Sequence, residues 1–210
     1  MLNNYIELDN GVVRQLKIMD KKQVYDLDYI KKRYDSYKEL SEKMSYLRLG
    51  YILGCVNKKI DSILDVGYGN GDFLRVASKI IPNCFGHEIN TYPIPEKCKY
   101  VENIFDLEYD VACFFDVLEH FENIYDIENL KATYICISVP NCHYPSDEWF
   151  EKWKHRRPDE HLWHFNQKSL ENFMKEIGYK MTNSTDMEDS IRIPQANLSN
   201  ILTAMFMKKE

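Results

Sequence analysis

The segment Ile63-Leu64-Asp65-Val66-Gly67-Tyr68-Gly69-Asn70-Gly71-Asp72-Phe73-Leu74 constrains the fold more than any other: an apolar run passes into three alternating glycines and then into a helical stripe from Phe73 to Ile80. A mostly apolar run of this length suits a strand buried on both faces, and such a strand belongs in a parallel sheet covered by helices. Alternating glycines let the backbone turn sharply and pass close to a bulky neighbour where a Cβ would collide. A tight turn alone would account for one of them, hardly for three in register behind a strand. The same rhythm continues downstream, with apolar runs at Cys84 to Glu88, Tyr100 to Val101, Val111 to Phe115 and Tyr134 to Val139. Between them, Phe73 to Ile80 and the stripe Phe121, Ile124, Ile127, Leu130 read as crossover helices.

Upstream, Tyr5 to Leu8 and Val12 to Leu16 flank Asp9-Asn10-Gly11 and read as a short hairpin. From Asp26 the spacing turns helical, with one stripe at Leu27, Ile30, Tyr34 and Tyr37 and a second at Leu40, Met44, Leu47, Tyr51 and Cys55. These divide the chain into a hairpin and helical cap over residues 1–58 and a main domain over 59–210. Late in the chain, Leu170, Phe173, Met174 and Ile177 sit at helical spacing, with Asn166 as cap and Gly178 as stop. The final run, Ile201 to Met207, reads as an edge strand.

A chain of 210 residues with 44% apolar side chains can bury a full core, which excludes wholesale disorder. Its 27 basic and 33 acidic residues leave a net charge of −6, so sequence-blind attraction to a phosphate backbone is not its expected activity, and nucleic acid is not an expected partner. No run of about 18 uncharged apolar residues predicts a membrane span. Met1 to Asn10 lacks the basic and apolar regions of a signal peptide, and the protein is expected in the cytoplasm. The six cysteines, Cys55, Cys84, Cys98, Cys113, Cys136 and Cys142, are scattered among apolar runs with no C-x-x-C pair, as reduced core thiols would be.

The glycine turn distinguishes between cofactors. A dinucleotide fingerprint wants its third small residue five positions after Gly67, where this chain has Asp72, a carboxylate that would repel a pyrophosphate. The segment instead resembles the D-x-G-x-G-x-G motif of class I S-adenosylmethionine-dependent methyltransferases. Two further elements share the resemblance: Cys84-Phe85-Gly86-His87-Glu88-Ile89, with Glu88 placed 23 positions after Asp65, and Phe115-Asp116-Val117-Leu118-Glu119-His120, a D-V-L-E-H element. The resemblance implies a doubly wound, mostly parallel seven-stranded α/β sheet with an N-terminal helical cap, and S-adenosyl-L-methionine as cofactor. It assigns cofactor contacts to Asp65, Gly67, Tyr68, Gly69, Gly71, Glu88, Ile89, Asp116, Val117 and Leu118, with Glu88 accepting both ribose hydroxyls. Only Glu102 to Glu108 remain for the turn that meets adenine, leaving Asn103, Ile104 and Asp106 as alternatives.

After the fifth strand, Ile137-Ser138-Val139-Pro140-Asn141 and the H-L-x-x-F element His161-Leu162-Trp163-His164-Phe165 also match this branch. The stretch Trp149 to Phe165 gathers aromatic, histidine and arginine side chains in a loop expected over the carboxyl ends of the strands, as small-molecule sites are built. Arg156, Arg157, Trp163 and Tyr34 are candidate substrate contacts, while His161, His120 and His164 are candidate bases. His161 has a second reading as a hydrogen-bonding anchor of the loop. His161 and His164 could chelate a metal with Asp159 or Glu160, but adjacent loop residues seldom converge on one ion, so no metal is expected. The expected activity is methyl transfer to a small molecule through a hydroxyl, carboxyl or amine, on a sugar or nucleotide-linked group among others. The alternatives are a macromolecular acceptor or a non-catalytic binder of the cofactor. Oligomeric state is left open.

Overall fold

The computed structural model describes residues 2–18, 38–89, 92–192 and 198–209. The first expected helical stripe, including Tyr34, lies outside them. Strands β1 (Tyr5–Glu7) and β2 (Val13–Gln15) form the expected antiparallel hairpin. Helix α1 (Lys38–Cys55) then leads into β3 (Ser62–Val66), α2 (Asp72–Ala77), β4 (Asn83–His87), β5 (Cys98–Tyr100) and β6 (Glu108–Phe115). After β7 (Lys131–Pro140) come α3 (Asp147–Lys152), β8 (Trp163–His164), α4 (Gln167–Glu176), β9 (Tyr179–Thr185) and β10 (Ile201–Lys208).

Seven strands form one sheet in the order β5-β4-β3-β6-β7-β10-β9. The first five are mutually parallel, and β10 runs antiparallel between β7 and β9. The chain leaves β3 for β4 on one side and returns to β6 on the other, so β3 and β6 flank the switch point at which open α/β sheets bind ligands. Alternation along the central strands serves both faces. Leu64, Ala112, Phe114, Ile135 and Ile137 pack with Leu170, Phe173 and Phe206 on one side. Ile63, Val111, Cys113, Phe115 and Cys136 pack with Leu49, Ile52, Phe73 and Leu74 on the other. Each such aliphatic or aromatic side chain contributes about 1.5–3 kcal/mol when fully buried. All six cysteines are free thiols, five of them buried.

Helix α4 begins where expected: the Asn166 side chain accepts the Ser169 N–H at 2.9 Å and the Ser169 hydroxyl accepts the Asn166 N–H, a reciprocal cap. Gly178 then ends it at φ 88°.

Three expectations change. The stripe from Phe121 to Leu130 is not a helix but a run of 3₁₀ turns at Leu118–His120 and Ile124–Asn129. Its apolar residues recur at strict intervals of three, the 3₁₀ period, with no i+4 partner to widen the stripe. Helix α1 forms, but its buried face runs through Met44, Ser45, Leu49 and Ile52, and Leu40 is exposed. The face is rotated because Arg48 turns inward to carboxylates, and a hydrophobic pattern does not count a charged residue as core. Lastly, β10 is interior, and the edge strand is β9, whose Tyr-Lys-Met-Thr-Asn-Ser-Thr sequence is polar enough to face water on its open side.

Candidate active site

The carboxyl ends of three adjacent strands converge. Asp65 lies near the end of β3 and pairs across to Gly86 of β4 and Cys113 of β6. Gly67, Gly69 and Gly71 follow at φ 70°, 52° and 74°, conformations that cost L-residues energy. The close neighbours belong to the protein itself: a Cβ on Gly67 would stand 2.5 Å from Val117 Cγ2, and one on Gly71 would stand 2.7 Å from Pro95 Cγ. Glycine is thus needed to let the turn nest against the Asp116–Leu118 loop on one side and Pro95 on the other. Glu88 follows β4 immediately, 9% exposed, and its Oε2 accepts the Gly69 N–H at 3.0 Å. That bond aims a carboxylate at the glycine turn. Asp65 is buried, which pushes its pKa up to about 8 against the opposing pull of Arg48. Tyr68 is buried with its hydroxyl donating to the Tyr92 carbonyl at 2.6 Å, whereas Ile89 is exposed. In the segment left open for adenine, Ile104 is buried in the core, and the Asn103 amide donates to Asp106 at 2.7 Å.

Asp116 adopts φ 58° directly after β6, and its side chain enters a part-buried ion cluster around the fully buried Glu188. Arg192 binds both its oxygens, at 2.8 and 2.6 Å, and Arg48 reaches Oδ2 at 3.1 Å. Arg48 also grips Glu188, at 2.7 and 3.0 Å, and Glu188 accepts the Ser138 hydroxyl at 2.8 Å. Burial alone would raise the Asp116 pKa, but Arg192 and Arg48 overcome it and hold the carboxyl well below the usual range. The carboxylate of Asp116 is therefore engaged by guanidinium groups. The Val117 side chain faces the glycine turn at Gly67, and Leu118 is fully buried. Neither arginine nor Glu188 was visible as a site residue in the sequence, because the Arg48–Glu188, Arg48–Asp116 and Arg192–Asp116 pairs span 140, 68 and 76 positions. Gly86 was missed too: a Cβ there would lie 2.6 Å from Tyr68 Cδ1 and 2.8 Å from Leu74 Cδ1.

The loop from Trp153 to Phe165 is laced to the turn behind β6. Leu162 N–H donates to the Glu119 carbonyl at 2.8 Å, Trp163 Nε1 donates to the Phe121 carbonyl at 2.6 Å, and His120 Nδ1 bonds the Glu160 carbonyl at 2.9 Å. These bonds bring His161 against His120, ring centroids 4.6 Å apart and nearly perpendicular. Burial lowers the pKa of both, that of His161 to about 2 with added repulsion from His120 and Arg157, so both imidazoles are neutral at pH 7. Glu119 beside them is buried, and burial with the nearby Asp116 charge raises its pKa well above the ordinary value. His164 goes elsewhere: it packs among Tyr5, Phe150 and Trp153, with its pKa down to about 3 from burial and Arg156. Trp163 is 2% exposed and its ring is spent on core packing. Arg156 stacks over Tyr5 and Phe150, and Arg157 pairs with Glu160 at 3.0 Å. Strand β8 pairs with β2, so the N-terminal hairpin braces this lid from outside.

A parallel sheet extended by an antiparallel strand, with a glycine turn and a strand-end carboxylate at its switch point, defines the Rossmann-like methyltransferase fold. A family model described as a methyltransferase domain matches residues 31–184, most of the chain, and the chain belongs to that family. In structure it is similar to 1,6-didemethyltoxoflavin-N1-methyltransferase from Burkholderia thailandensis, solved with 1,6-didemethyltoxoflavin and S-adenosylhomocysteine. Identity is 14% and the TM-score 0.57, over 99% of this chain and 100% of that one. It is also similar to magnesium protoporphyrin IX methyltransferase from Synechocystis PCC 6803 with bound S-adenosylhomocysteine, at 12% identity and TM-score 0.57, over 91% of each chain. A chain from the complex of the Haloferax volcanii Trm112 methyltransferase activator with a methyltransferase is similar at 13% identity and TM-score 0.60, over 90% of this chain and 100% of that one. No curated protein matches the sequence. The protein is an S-adenosylmethionine-dependent methyltransferase. No helix among the described residues is long and apolar enough to cross a membrane.

Proposed function

We propose that the protein methylates a small-molecule acceptor, at a hydroxyl, carboxyl or amine, beneath the Trp153–Phe165 lid. The observation that carries this reading is the lacing of that lid to the Leu118–Phe121 turn by three hydrogen bonds, which sets an aromatic-rich segment beside the cofactor loop. An acidic net charge and two structural neighbours named for small-molecule acceptors support it.

The residues present fit the cofactor. A carboxylate at the end of β4, held by Gly69 N–H, suits a ribose diol, and the positive-φ turn from Gly67 to Gly71 presents backbone rather than side chains to a ligand. S-adenosylmethionine supplies a methyl carbon made electrophilic by its sulfonium. In this reading Glu88 accepts the ribose hydroxyls, Ile89 offers an apolar face beside them, and the Asp116–Leu118 backbone borders the cofactor from β6. In-line displacement asks the protein chiefly to hold the acceptor atom about 3 Å from the methyl carbon and to exclude water. The lid does the second, with Arg156 and Arg157 as candidate acceptor contacts. For a hydroxyl acceptor, a base contributes roughly 3 to 5 kcal/mol, and the neutral imidazoles of His120 and His161 lie nearest the turn that borders the cofactor.

The test is incubation of the protein and S-adenosylmethionine with a metabolite extract, followed by a mass search for products heavier by one methylene. Labelled methyl appearing only in protein or nucleic acid would establish a macromolecular acceptor. Tight S-adenosylhomocysteine binding with no transfer to either fraction would establish a binder.

A further inference from the structure

One cluster beneath the lid contains buried polar atoms, on Glu119 and His161, that have no hydrogen-bond partner. Glu119, His120 and His161 each bring one ligand atom to within 4.8 Å of the others. Glu119 is 1% exposed, and neither carboxylate oxygen has a hydrogen-bond partner. His161 is 5% exposed, and its Nδ1 is likewise unpartnered. Unsatisfied buried polar atoms are costly and rare, and three in one cluster require a ligand that answers them together.

The chemistry of the cluster selects a cation. The Glu160 carbonyl can only accept a hydrogen bond, so His120 Nδ1 carries the proton and Nε2 carries the lone pair. Fixing one ring nitrogen on a backbone carbonyl is also how metal-binding histidines are oriented. Both Glu119 oxygens and His161 Nδ1 are thus unpartnered in one space, beside the His120 ring, and a carboxylate with two imidazoles is a donor set for a cation. Ligand atoms around a tetrahedral Zn²⁺ stand about 3.4 Å apart, given metal–ligand bonds of about 2.1 Å. A contraction of at most about 1.4 Å brings these three to that spacing. Residues of the lid alone do not converge on an ion. The structure adds Glu119 and His120 from a separate turn, held to the lid by the Leu162 N–H to Glu119 carbonyl bond.

We propose that Glu119, His120 and His161 form a site for a borderline divalent transition-metal ion, Zn²⁺ being the model, with two imidazoles and one carboxylate as ligands. This donor set favours such ions over Mg²⁺ and Ca²⁺, which prefer oxygen ligands. Three protein ligands leave a coordination position open to water or an acceptor oxygen. The ion would tie the lid to the turn beside the cofactor loop.

Metal binding is read on the full chain without any acceptor, so it stands or falls separately from the small-molecule reading. Protein stripped with chelator is dialysed against Zn²⁺ and, separately, Co²⁺, with ion content, visible absorption and melting temperature recorded. The expected result is one ion per chain, a Co²⁺ spectrum free of thiolate charge transfer, and a melting temperature that rises with ion concentration. Glu119→Gln, which keeps the side-chain shape, and His161→Gln should each weaken binding at least about 100-fold while remaining folded by circular dichroism. His164→Gln, altered in the neighbouring aromatic cluster, should keep the ion. No retained ion at micromolar Zn²⁺, stoichiometric binding undiminished in both ligand variants, or thiolate charge transfer with Co²⁺ would each overturn the proposal.

Discussion

Replacing Arg48 by Met tests whether the ion cluster behind the cofactor loop holds the fold together. Arg48 joins the buried Glu188 carboxylate at 2.7 Å and the half-buried Asp116 carboxylate at 3.1 Å, and its side chain is 11% exposed. Removing one partner of a buried pair costs about 3–5 kcal/mol, because the remaining charge stays desolvated. Glu188, fully buried, would keep Arg192 at 3.2 Å and the Ser138 hydroxyl at 2.8 Å. Those surviving partners place the loss near the lower limit, about 3 kcal/mol. Methionine retains the aliphatic stem and a sulfur contact to Phe115, over which the guanidinium now sits at 4.3 Å. For a chain of this size the loss corresponds to a fall of roughly 6–12 °C in melting temperature. Urea unfolding should show a lower midpoint at unchanged slope. Adding Glu188→Met to Arg48→Met should cost less than the sum of the single changes, by at least about 1 kcal/mol, since the orphaned carboxylate is removed with its partner. A loss under about 1 kcal/mol, or strict additivity, would show that the cluster is screened by water and that α1 is held by Leu49 and Ile52 alone.

Glu88→Ala should weaken S-adenosylhomocysteine binding by roughly 1.5 to 3 kcal/mol with the fold intact, and titration calorimetry showing unchanged affinity would place the ribose elsewhere. S-adenosylmethionine should raise the melting temperature and NAD should not, and the reverse would remove the assigned cofactor. Gly86→Ala should destabilise by about 1–3 kcal/mol through collision with Tyr68 and Leu74, measured by chemical unfolding; a neutral result would mean that Tyr68 yields freely. Asp65 has its folded pKa raised to about 8 from 3.8, so the folded state holds a proton that the unfolded chain has released. Its contribution is full below the unfolded pKa and is lost as pH rises through the folded one. The unfolding free energy of wild type minus that of Asp65→Asn should therefore decline between pH 5 and pH 8, by up to about 1.4 kcal/mol per unit, and a difference flat in pH would refute the buried, protonated carboxyl.

The central strands and the glycine turn were legible in the sequence because their signals are local. A run such as Ile63 to Val66 followed by glycines at 67, 69 and 71 states its burial and its turn within a dozen residues, and Asn166 ahead of the stripe from Leu170 states a helix start. Glu88 was legible because it ends a strand at a distance set by one β-α-β unit. The order of the last two strands was not, since interior or edge position depends on which strand arrives beside it, and β9 carries too few apolar residues to announce itself. Nor was the buried face of α1, where Arg48 is inward only because Asp116 and Glu188 wait for it from 68 and 140 positions away. The same holds for the histidines. His120, His161 and His164 were equal candidates along the chain, and tertiary contacts separated them: hydrogen bonds between residues 160–163 and 119–121 set His161 against His120, while Tyr5, Phe150 and Trp153 enclose His164. Local periodicity and turn chemistry are properties of neighbouring residues and survive in the linear sequence. Charge pairing and convergence of side chains across loops are properties of distance in space, and only the folded chain determines them.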